Sequence, residues 1–404
     1  MKNSGVEWIG EIPEDWEVTQ VKNIFNIGRG RVIAQTELDE HGKYPVYSSQ
    51  TKDNGCLGYI NTYDFDINQL TWTTDGANAG TVFLRKGKHN CTNVCGTLQL
   101  KQTSNILLFY KYALEYLTIF NKRADTNGFK IMNNEMAKII TLLPPKETQQ
   151  RIATYLDKKC SKIEETIQNQ QQVIEKLKAY KQSLITEAVT GKIKIQSEIP
   201  DFKYCNLGFI AEFKNGLNYN ASDFGTEVKF LGVGDFQNYL VLNDESMFSN
   251  IITDTEIEDD YYLKNGDIIF VRSNGSKELV GRAIMVDNID FKVTYSGFCI
   301  RLRNKEPKKI NSKFLLYFFR SDYFRNELQR LSQGSNISNI NQDLLSHIKI
   351  PLVDIRFQES VVDFLNKKCT AIDTVIEQKQ KLIEKLTEYK KSMIYECVTG
   401  KKEI

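Results

Sequence analysis

The chain has 404 residues, 41% of them hydrophobic and 26% charged, and a formal net charge of +2. That is more than one ordinary core needs and enough for two or three domains, and the composition excludes a disordered or low-complexity polymer. So near-neutral a balance speaks against a solitary nucleic-acid binder, which carries a basic surplus; phosphate contacts would have to come from local basic faces or from a partner.

Met1 to Gly5 lacks the apolar run of a secretory leader. The most apolar stretch, Ile106 to Phe120, is short and is broken by Lys111 and Glu115, so no membrane span is expected and the chain reads as cytoplasmic. The first 145 residues are rich in Gly, Asn, Asp, Thr and aromatics, with alternating runs such as Gly80–Leu84. They predict a compact mixed α/β module. His89-x-Cys91-x3-Cys95 has no second ligand pair for zinc, and the eight scattered cysteines read as small reduced thiols.

After Pro144-Pro145 the period changes. Ile152, Leu156, Ile163, Ile167, Ile174, Leu177, Leu184 and Ala188 form one helical seam, predicting a helix of about 37 residues and ~55 Å that stops at Thr190-Gly191-Lys192. A second module follows, with runs such as Asp267–Val271. Beyond Pro351 a second seam, Val361, Leu365, Ile372, Ile376, Ile383, Leu386, Met393 and Cys397, stops at Thr399-Gly400-Lys401.

The two helical segments, 158–192 and 367–401, align without a gap at an offset of 209 residues, and roughly half the positions are identical, far beyond what generic amphipathic helices share. The modules correspond more weakly. Trp16 to Gly30 aligns with Phe202 to Gly216, and Ile106–Tyr110 with Phe314–Phe318. The predicted fold class is α/β, with two similar mixed α/β modules separated and joined by two long antiparallel helices in a pseudo-two-fold arrangement. The boundaries are 1–145, 146–192, 193–350 and 351–404. Lys176, Lys178, Lys181, Lys379, Lys381, Lys385, Lys390 and Lys391 are expected on solvated faces of the helices.

Three segments imitate catalytic motifs. Phe230-Leu231-Gly232-Val233-Gly234 matches a methyltransferase cofactor pattern, but no N/D-P-P-Y/F loop accompanies it to hold a flipped base. Pro200-Asp201 with Glu212-x-Lys214 imitates a nuclease metal site, yet the first half carries Asn26 and Gly28 at the aligned positions. No phosphate-binding loop occurs, and His41, His89 and His347 lie in no nucleophile motif. The reading is a chain with no catalytic, metal or cofactor-binding residues.

Two similar heads with a fixed helical spacer suit a duplex whose surface repeats every ~34 Å. The opening Gly5-Val6-Glu7-Trp8-Ile9-Gly10-Glu11-Ile12-Pro13-Glu14-Asp15-Trp16-Glu17 resembles the start of many Type I restriction–modification specificity subunits. Leu143-Pro144-Pro145-Lys146-Glu147 through Ile152 resembles that family's entry into its first conserved helix. Tyr44-Pro45-Val46-Tyr47-Ser48-Ser49, Gly266-Asp267-Ile268-Ile269 and Val280-Gly281-Arg282 resemble recurrent motifs of its target recognition domains. Pro351-Leu352-Val353-Asp354 departs from the pattern by lacking the double proline. The resemblance covers the whole chain. It implies two target recognition domains reading a bipartite asymmetric site in double-stranded DNA. It implies two adenine methyltransferase subunits gripped through the helices, and two motor-nuclease subunits able to join. S-adenosylmethionine, ATP and magnesium would belong to those partners, none to this chain.

Base-edge readout needs Arg, Lys, Asn, Gln, Ser or Thr on presented loops. The candidates are Ser48, Ser49, Gln50, Thr51, Thr73, Thr74, Lys122, Arg123, Asn127 and Lys130 in the first module. In the second they are Arg272, Asn274, Ser276, Lys277, Gln333, Ser335 and Asn336. Two other readings stay open: a helical scaffold that binds no DNA, and a self-contained magnesium-dependent nuclease using Asp201, Glu212 and Lys214.

Overall fold

The computed structural model describes residues 1–7, 9–126, 128–195, 201–218, 225–237, 240–254, 256–275, 278–332 and 339–404. Among them the helices of eight residues or more are α1 (Leu107–Asn121), α2 (Lys146–Val189), α3 (Ser312–Phe319), α4 (Asp322–Leu331) and α5 (Ile355–Val398). The long helices α2 and α5 have 44 residues each, about 66 Å at 1.5 Å per residue. They exceed the expected ~37 residues because α2 begins directly after Pro145 and α5 at Ile355, each six residues before the first seam residue, Ile152 or Val361. Each stops where the sequence places a glycine. Gly191 and Gly400 have φ of 73° and 72°, and the next amides, Lys192 and Lys401, reach back to the Glu187 and Glu396 carbonyls at 2.8 and 2.9 Å, closing the last turn.

The chain packs into two compact units. One is residues 1–170 with 380–404, the other residues 171–379. Each unit therefore holds one module and half of each long helix. In the first unit the two halves run antiparallel: Lys390 reaches Glu164 at 2.8 Å, and Lys402 reaches the Tyr155 hydroxyl at 3.0 Å. Ile152, Leu156, Cys160 and Ile163 share a core with Met393, Ile394, Cys397 and Val398, and with Phe109, Tyr110, Ala113 and Leu117 of α1. In the second unit Leu184, Ile185, Ala188 and Val189 meet Val361, Val362, Leu365 and Cys369, with α3 packed on them. There Lys181 holds Asp373 at 2.6 Å. Lys181 and Lys390 are thus not on solvated faces as expected. Lys390 is only 17% exposed and serves two carboxylates, Glu115 and Glu164. Burial works against its charge, but the two carboxylates outweigh it and hold the ammonium above its ordinary pKa.

The modules share a topology that their sequences conceal. In the first, an antiparallel sheet has the order 82–85, 69–73, 95–100, 25–29, and strand 44–47 pairs in parallel with 88–91 and antiparallel with 56–60. In the second, strands 283–286, 268–271, 299–304 and 211–215 repeat that order, and 226–231 pairs in parallel with 293–295 and antiparallel with 249–253. A two-stranded pair closes each module beside its long helix, 17–20 with 140–143 and 203–206 with 349–352.

A buried glutamine joins each module to its helix. The Gln149 carboxamide accepts from the Ile106 amide at 2.9 Å and donates to the Pro144 carbonyl at 2.8 Å. Gln358, 209 residues later, accepts from Asn311 at 2.9 Å and donates to Val353 and Lys309. These bonds correct the sequence register. Ile106 corresponds to Asn311, not Phe314, and Tyr112 (to Asp157, 3.1 Å) corresponds to Tyr317 (to Asn366, 2.7 Å). A slip of three residues is close to one helical turn, so the apolar pattern matches in either register. Gly30 and Gly216, aligned by sequence, occupy equivalent places: a Cβ at either would overlap backbone carbonyls, those of Cys91 and Thr92 or of Tyr295 and Ser296.

Two outcomes are expected. Gln358→Ala strands a buried amide and two carbonyls and should lower stability by about 2 kcal/mol. Gly216→Ala should cost at least as much, because backbone must move. Urea denaturation reads both, and unchanged midpoints would contradict these roles.

Candidate nucleic-acid interface

In the first module three strand ends converge. Strand 44–47 runs into Ser48 and Ser49, strand 69–73 into Thr74, and strand 88–91 into the turn at 92–94. The Val94 carbonyl gathers them, accepting from the Thr74 amide at 3.3 Å, the Thr74 hydroxyl at 3.0 Å and the Ser49 hydroxyl at 3.2 Å. The Thr74 carbonyl accepts from Ile131 at 2.8 Å, and Asp75-Gly76 pair with Phe129-Lys130 of the 123–130 hairpin. Ser49 also approaches Asp75 at 3.4 Å, and Asn78 donates to Thr51 at 3.3 Å. The clusters at 48–51, 73–74 and 122–130, far apart in sequence, are therefore one surface.

Not every candidate faces outward. Thr73 and Thr74 are each 1% exposed, and their hydroxyls donate to the Asn78 and Val94 carbonyls. They hold the loop and present nothing to a duplex, contrary to expectation. The Gln50 carboxamide likewise turns inward to the Cys56 carbonyl. Ser48 and Ser49 are half-buried and Thr51 is exposed. The hairpin carries the cations. Lys122 stands 4.2 Å over the Phe129 ring, Arg123 pairs with Glu135 at 2.7 Å, and Lys130 pairs with Asp125 at 2.9 Å. That Lys130 contact holds the exposed Asp125 carboxyl below its ordinary pKa. Asn127 lies outside the described residues.

Two arginines of this region escaped the sequence reading. Arg29 ends strand 25–29 opposite Gly96 and borders a shallow depression of about 370 Å³ with Met132, Asn133 and Asn134; the glycines on either side of it were the available signal. Arg85 is 1% exposed, lies 3.5 Å over the Tyr47 ring, and donates to Thr71 at 3.0 Å and to the Asn54 carbonyl at 2.6 Å. Burial lowers its pKa, and it braces the 48–55 loop from behind. His89 is equally internal. Its ring nitrogens lie 2.8 Å from Gln69 and from the Gly87 carbonyl, burial lowers its pKa, and Cys91 and Cys95 are buried nearby.

The second module repeats the convergence with different side chains. The Arg272 amide donates to the Phe298 carbonyl at 2.7 Å, as Thr74 does to Val94, and the Arg272 carbonyl accepts from Ile340 at 2.9 Å, as Thr74 does from Ile131. The Arg272 guanidinium reaches the Gly297 carbonyl at 3.4 Å. Ser273 bridges to Asn339, and Asn274 is half-buried. Ser276, Lys277, Gln333, Ser335 and Asn336 lie outside the described residues. Phe298, missed from sequence because nothing marks a lone aromatic after glycine, is 63% exposed.

The residues of the catalytic-looking motifs make contacts within the second module. Glu212 pairs with the fully buried Arg301 at 2.9 Å. Lys214 pairs with Asp260 and lies 3.9 Å over Tyr261, and it holds the Asp260 carboxyl below its ordinary pKa. Both are parts of a sheet-face ion network that includes Arg303 and Asp267. Asp201 precedes strand 203–206 in an exposed position, and Pro200 lies outside the described residues. At Phe230–Gly234 the Gly232 amide donates to Asp235 at 2.7 Å, making a tight turn. No helix among the described residues is long and apolar enough to cross a membrane.

The Type I restriction enzyme MjaVIII specificity subunit of Methanocaldococcus jannaschii is 28% identical over 420 residues, covering 96% of this chain and 93% of that protein. A type I specificity subunit N-terminus from Mycoplasma pneumoniae, S.MpnORF289P, is 40% identical over 139 residues, 34% of this chain and 74% of that one. Among solved structures, a chain from a study of complex assembly and conformational transition of the type I R-M system superposes with a TM-score of 0.71 at 13% identity, covering 96% of this chain and 98% of that one. The HsdS subunit from Thermoanaerobacter tengcongensis gives a TM-score of 0.51 at 14% identity, with the same coverage. These show the fold. The domain described as the Type I restriction modification DNA specificity domain matches twice, at residues 13–177 and 200–387, and the chain belongs to that family, with one copy of the domain in each half.

Proposed function

We propose that the chain is the sequence-reading subunit of a Type I restriction–modification complex, each module reading one half of a split, asymmetric target in double-stranded DNA. The observation that carries this is the repeat of one topology with unlike loops at the same strand ends. A shared frame with Thr74, Val94 and the 123–130 hairpin in one module, and Arg272 and Phe298 in the other, suits two different half-sites. The chain itself carries no catalytic centre in this reading. Two adenine methyltransferase subunits methylate both half-sites, two motor-nuclease subunits cleave unmodified DNA, and S-adenosylmethionine, ATP and magnesium serve those partners in the cytoplasm.

The long helices offer the partners a duplicated face. Val173 and Tyr180 of α2 are 36% and 56% exposed, and Leu382 and Tyr389 of α5 are 42% and 55% exposed. Each pair is one heptad apart, and the pairs are related by the same 209-residue offset. Exposed apolar and tyrosine side chains kept twice support docking of two copies of one partner.

Long-read mapping of adenine methylation tests the reading, in cells producing this chain with a methyltransferase subunit of its system. One bipartite motif is expected, absent without this chain. Exchanging residues 17–145 for those of a relative should change one half of the motif and leave the other. A stable complex with an active methyltransferase but no new methylation would refute the assignment.

Side chains at the interface divide by role. Arg123→Ala should weaken binding to all duplexes alike and reduce the salt slope by about 1, as expected for a phosphate contact. Arg272→Ala should relax selectivity at one position of the second half-site, at about 1–3 kcal/mol. Binding isotherms across a salt series and a panel of single-pair changes separate the two.

A further inference from the structure

Resting on the DNA-reading assignment, we infer that Phe298 is an apolar base-reading residue of the second module, contacting a base of its half-site beside Arg272. A phenylalanine 63% exposed to water loses apolar burial unless something covers it. Its position says what covers it. Phe298 ends the three-residue turn between strands 293–295 and 299–304, the structural counterpart of the 92–94 turn on which the candidate residues of the first module converge.

The backbone of the turn is held at every residue. The Ser296 amide donates to Leu231 at 3.0 Å, the Gly297 amide to Leu217 at 2.7 Å, and the Phe298 amide to the Ser296 hydroxyl at 3.2 Å. The Phe298 carbonyl accepts from Arg272, and the Cys299 amide closes back on Ser296 at 2.8 Å. Gly216 and Gly297 are both packed too closely for a Cβ, the first against the Ser296 carbonyl and the second against Asn218. With the backbone fixed at each residue, the ring stands exposed on the residue that follows Gly297, whose carbonyl the Arg272 guanidinium reaches at 3.4 Å. Phe209 is more exposed, at 76%, but it precedes strand 211–215 at the end away from Gly216, so exposure alone does not select Phe298.

An arginine with a flat apolar ring is a base-reading pair. The guanidinium suits guanine O6 and N7, and the ring suits a thymine methyl or a wedge between base pairs. The first module has half-buried Val94 at the equivalent place, so the inference distinguishes the modules and concerns only the second half-site.

The test uses the full chain in complex with its methyltransferase subunit, carrying Phe298→Ala or Phe298→Leu, with methylation mapping and duplex binding as readouts. Phe298→Ala should lose discrimination at one base pair of the second half-site, with affinity for the intact target falling roughly tenfold. The first half should be unchanged and Phe298→Leu should recover part of the loss. Replacing each thymine of the second half-site by uracil then locates the contact. One position that weakens the unaltered protein but not Phe298→Ala identifies a methyl contact; no such position, with DNA bending lost in Phe298→Ala, identifies a wedge. Either supports the inference. An unchanged motif with affinity within twofold overturns it, as does equal weakening on all sequences. If the unaltered complex yields no motif, the DNA-reading assignment fails and takes this inference with it, an outcome distinct from a motif that Phe298→Ala leaves intact.

Discussion

The two apolar stripes of the long helices are the constraint on which the rest depends. A helix of 44 residues with one apolar side has no cover of its own, and its stability comes from packing rather than propensity. Each unit supplies the cover in the same way, with half of one long helix, half of the other run antiparallel to it, and a short helix of the module laid across both. Neither module has a complete core without the two helical halves. The buried glutamines then set the register. Gln149 and Gln358 can satisfy the first amide of the module's helix and the carbonyls before the long helix only when module and helix stand in one position. A slip would leave buried polar groups without partners, which costs far more than the bonds themselves contribute.

Given that frame, the electrostatics around it can diverge. The pair Lys390–Glu164 in one unit recurs as Lys181–Asp373 in the other. Around it the units differ. Glu115 joins the first pair and is held ionised: burial opposes its charge, and Lys111 and Lys390 together outweigh burial. At the corresponding place, just past the end of α3, the second unit carries Arg320, whose guanidinium donates to the Ala283 carbonyl at 2.9 Å and is pushed down to about 10 by burial and by the nearby charge of Arg282. One structural ion pair thus tolerates an acid or a base beside it, because the apolar seam and the glutamine, not the charge, fix the geometry.

The helical repeat was legible because its signal is local and periodic. Two segments with one seam, one offset and a terminal glycine each need no long-range information. The topology of the modules was not. Strand 25–29 pairs with 95–100, and 44–47 runs parallel to 88–91. The strands are short and differ between modules, and what they share is pairing across long loops, which composition does not record. The candidate interface was half legible for the same reason. Polar loop clusters could be named, but Thr73 and Thr74 look from sequence like Ser48 and Thr51, and only the convergence of strand ends turns the first pair inward. Lys390 reads as one of many helical lysines until Glu115 of a distant helix appears beside it. Phe298 had no sequence signal, because its proposed role follows from what its turn is bonded to.

The proposed reading surface, built on strand ends, would have a specific advantage. At the 92–94 and 296–298 turns the backbone groups that fix the loop are satisfied by neighbouring strands, through Thr74 or Arg272 and through the close approach of Gly30 or Gly216. The side chain at the last position of such a turn, Val94 or Phe298, can change without altering the hydrogen bonds that hold it. Valine in one module and phenylalanine in the other sit on the same carbonyl contact, so on the proposed reading stability and selectivity would be carried by different atoms. Preorganisation follows from the same separation. A ring or guanidinium presented by a fixed backbone loses little further freedom on meeting a base edge, so more of its contact energy is available to discriminate one sequence from another.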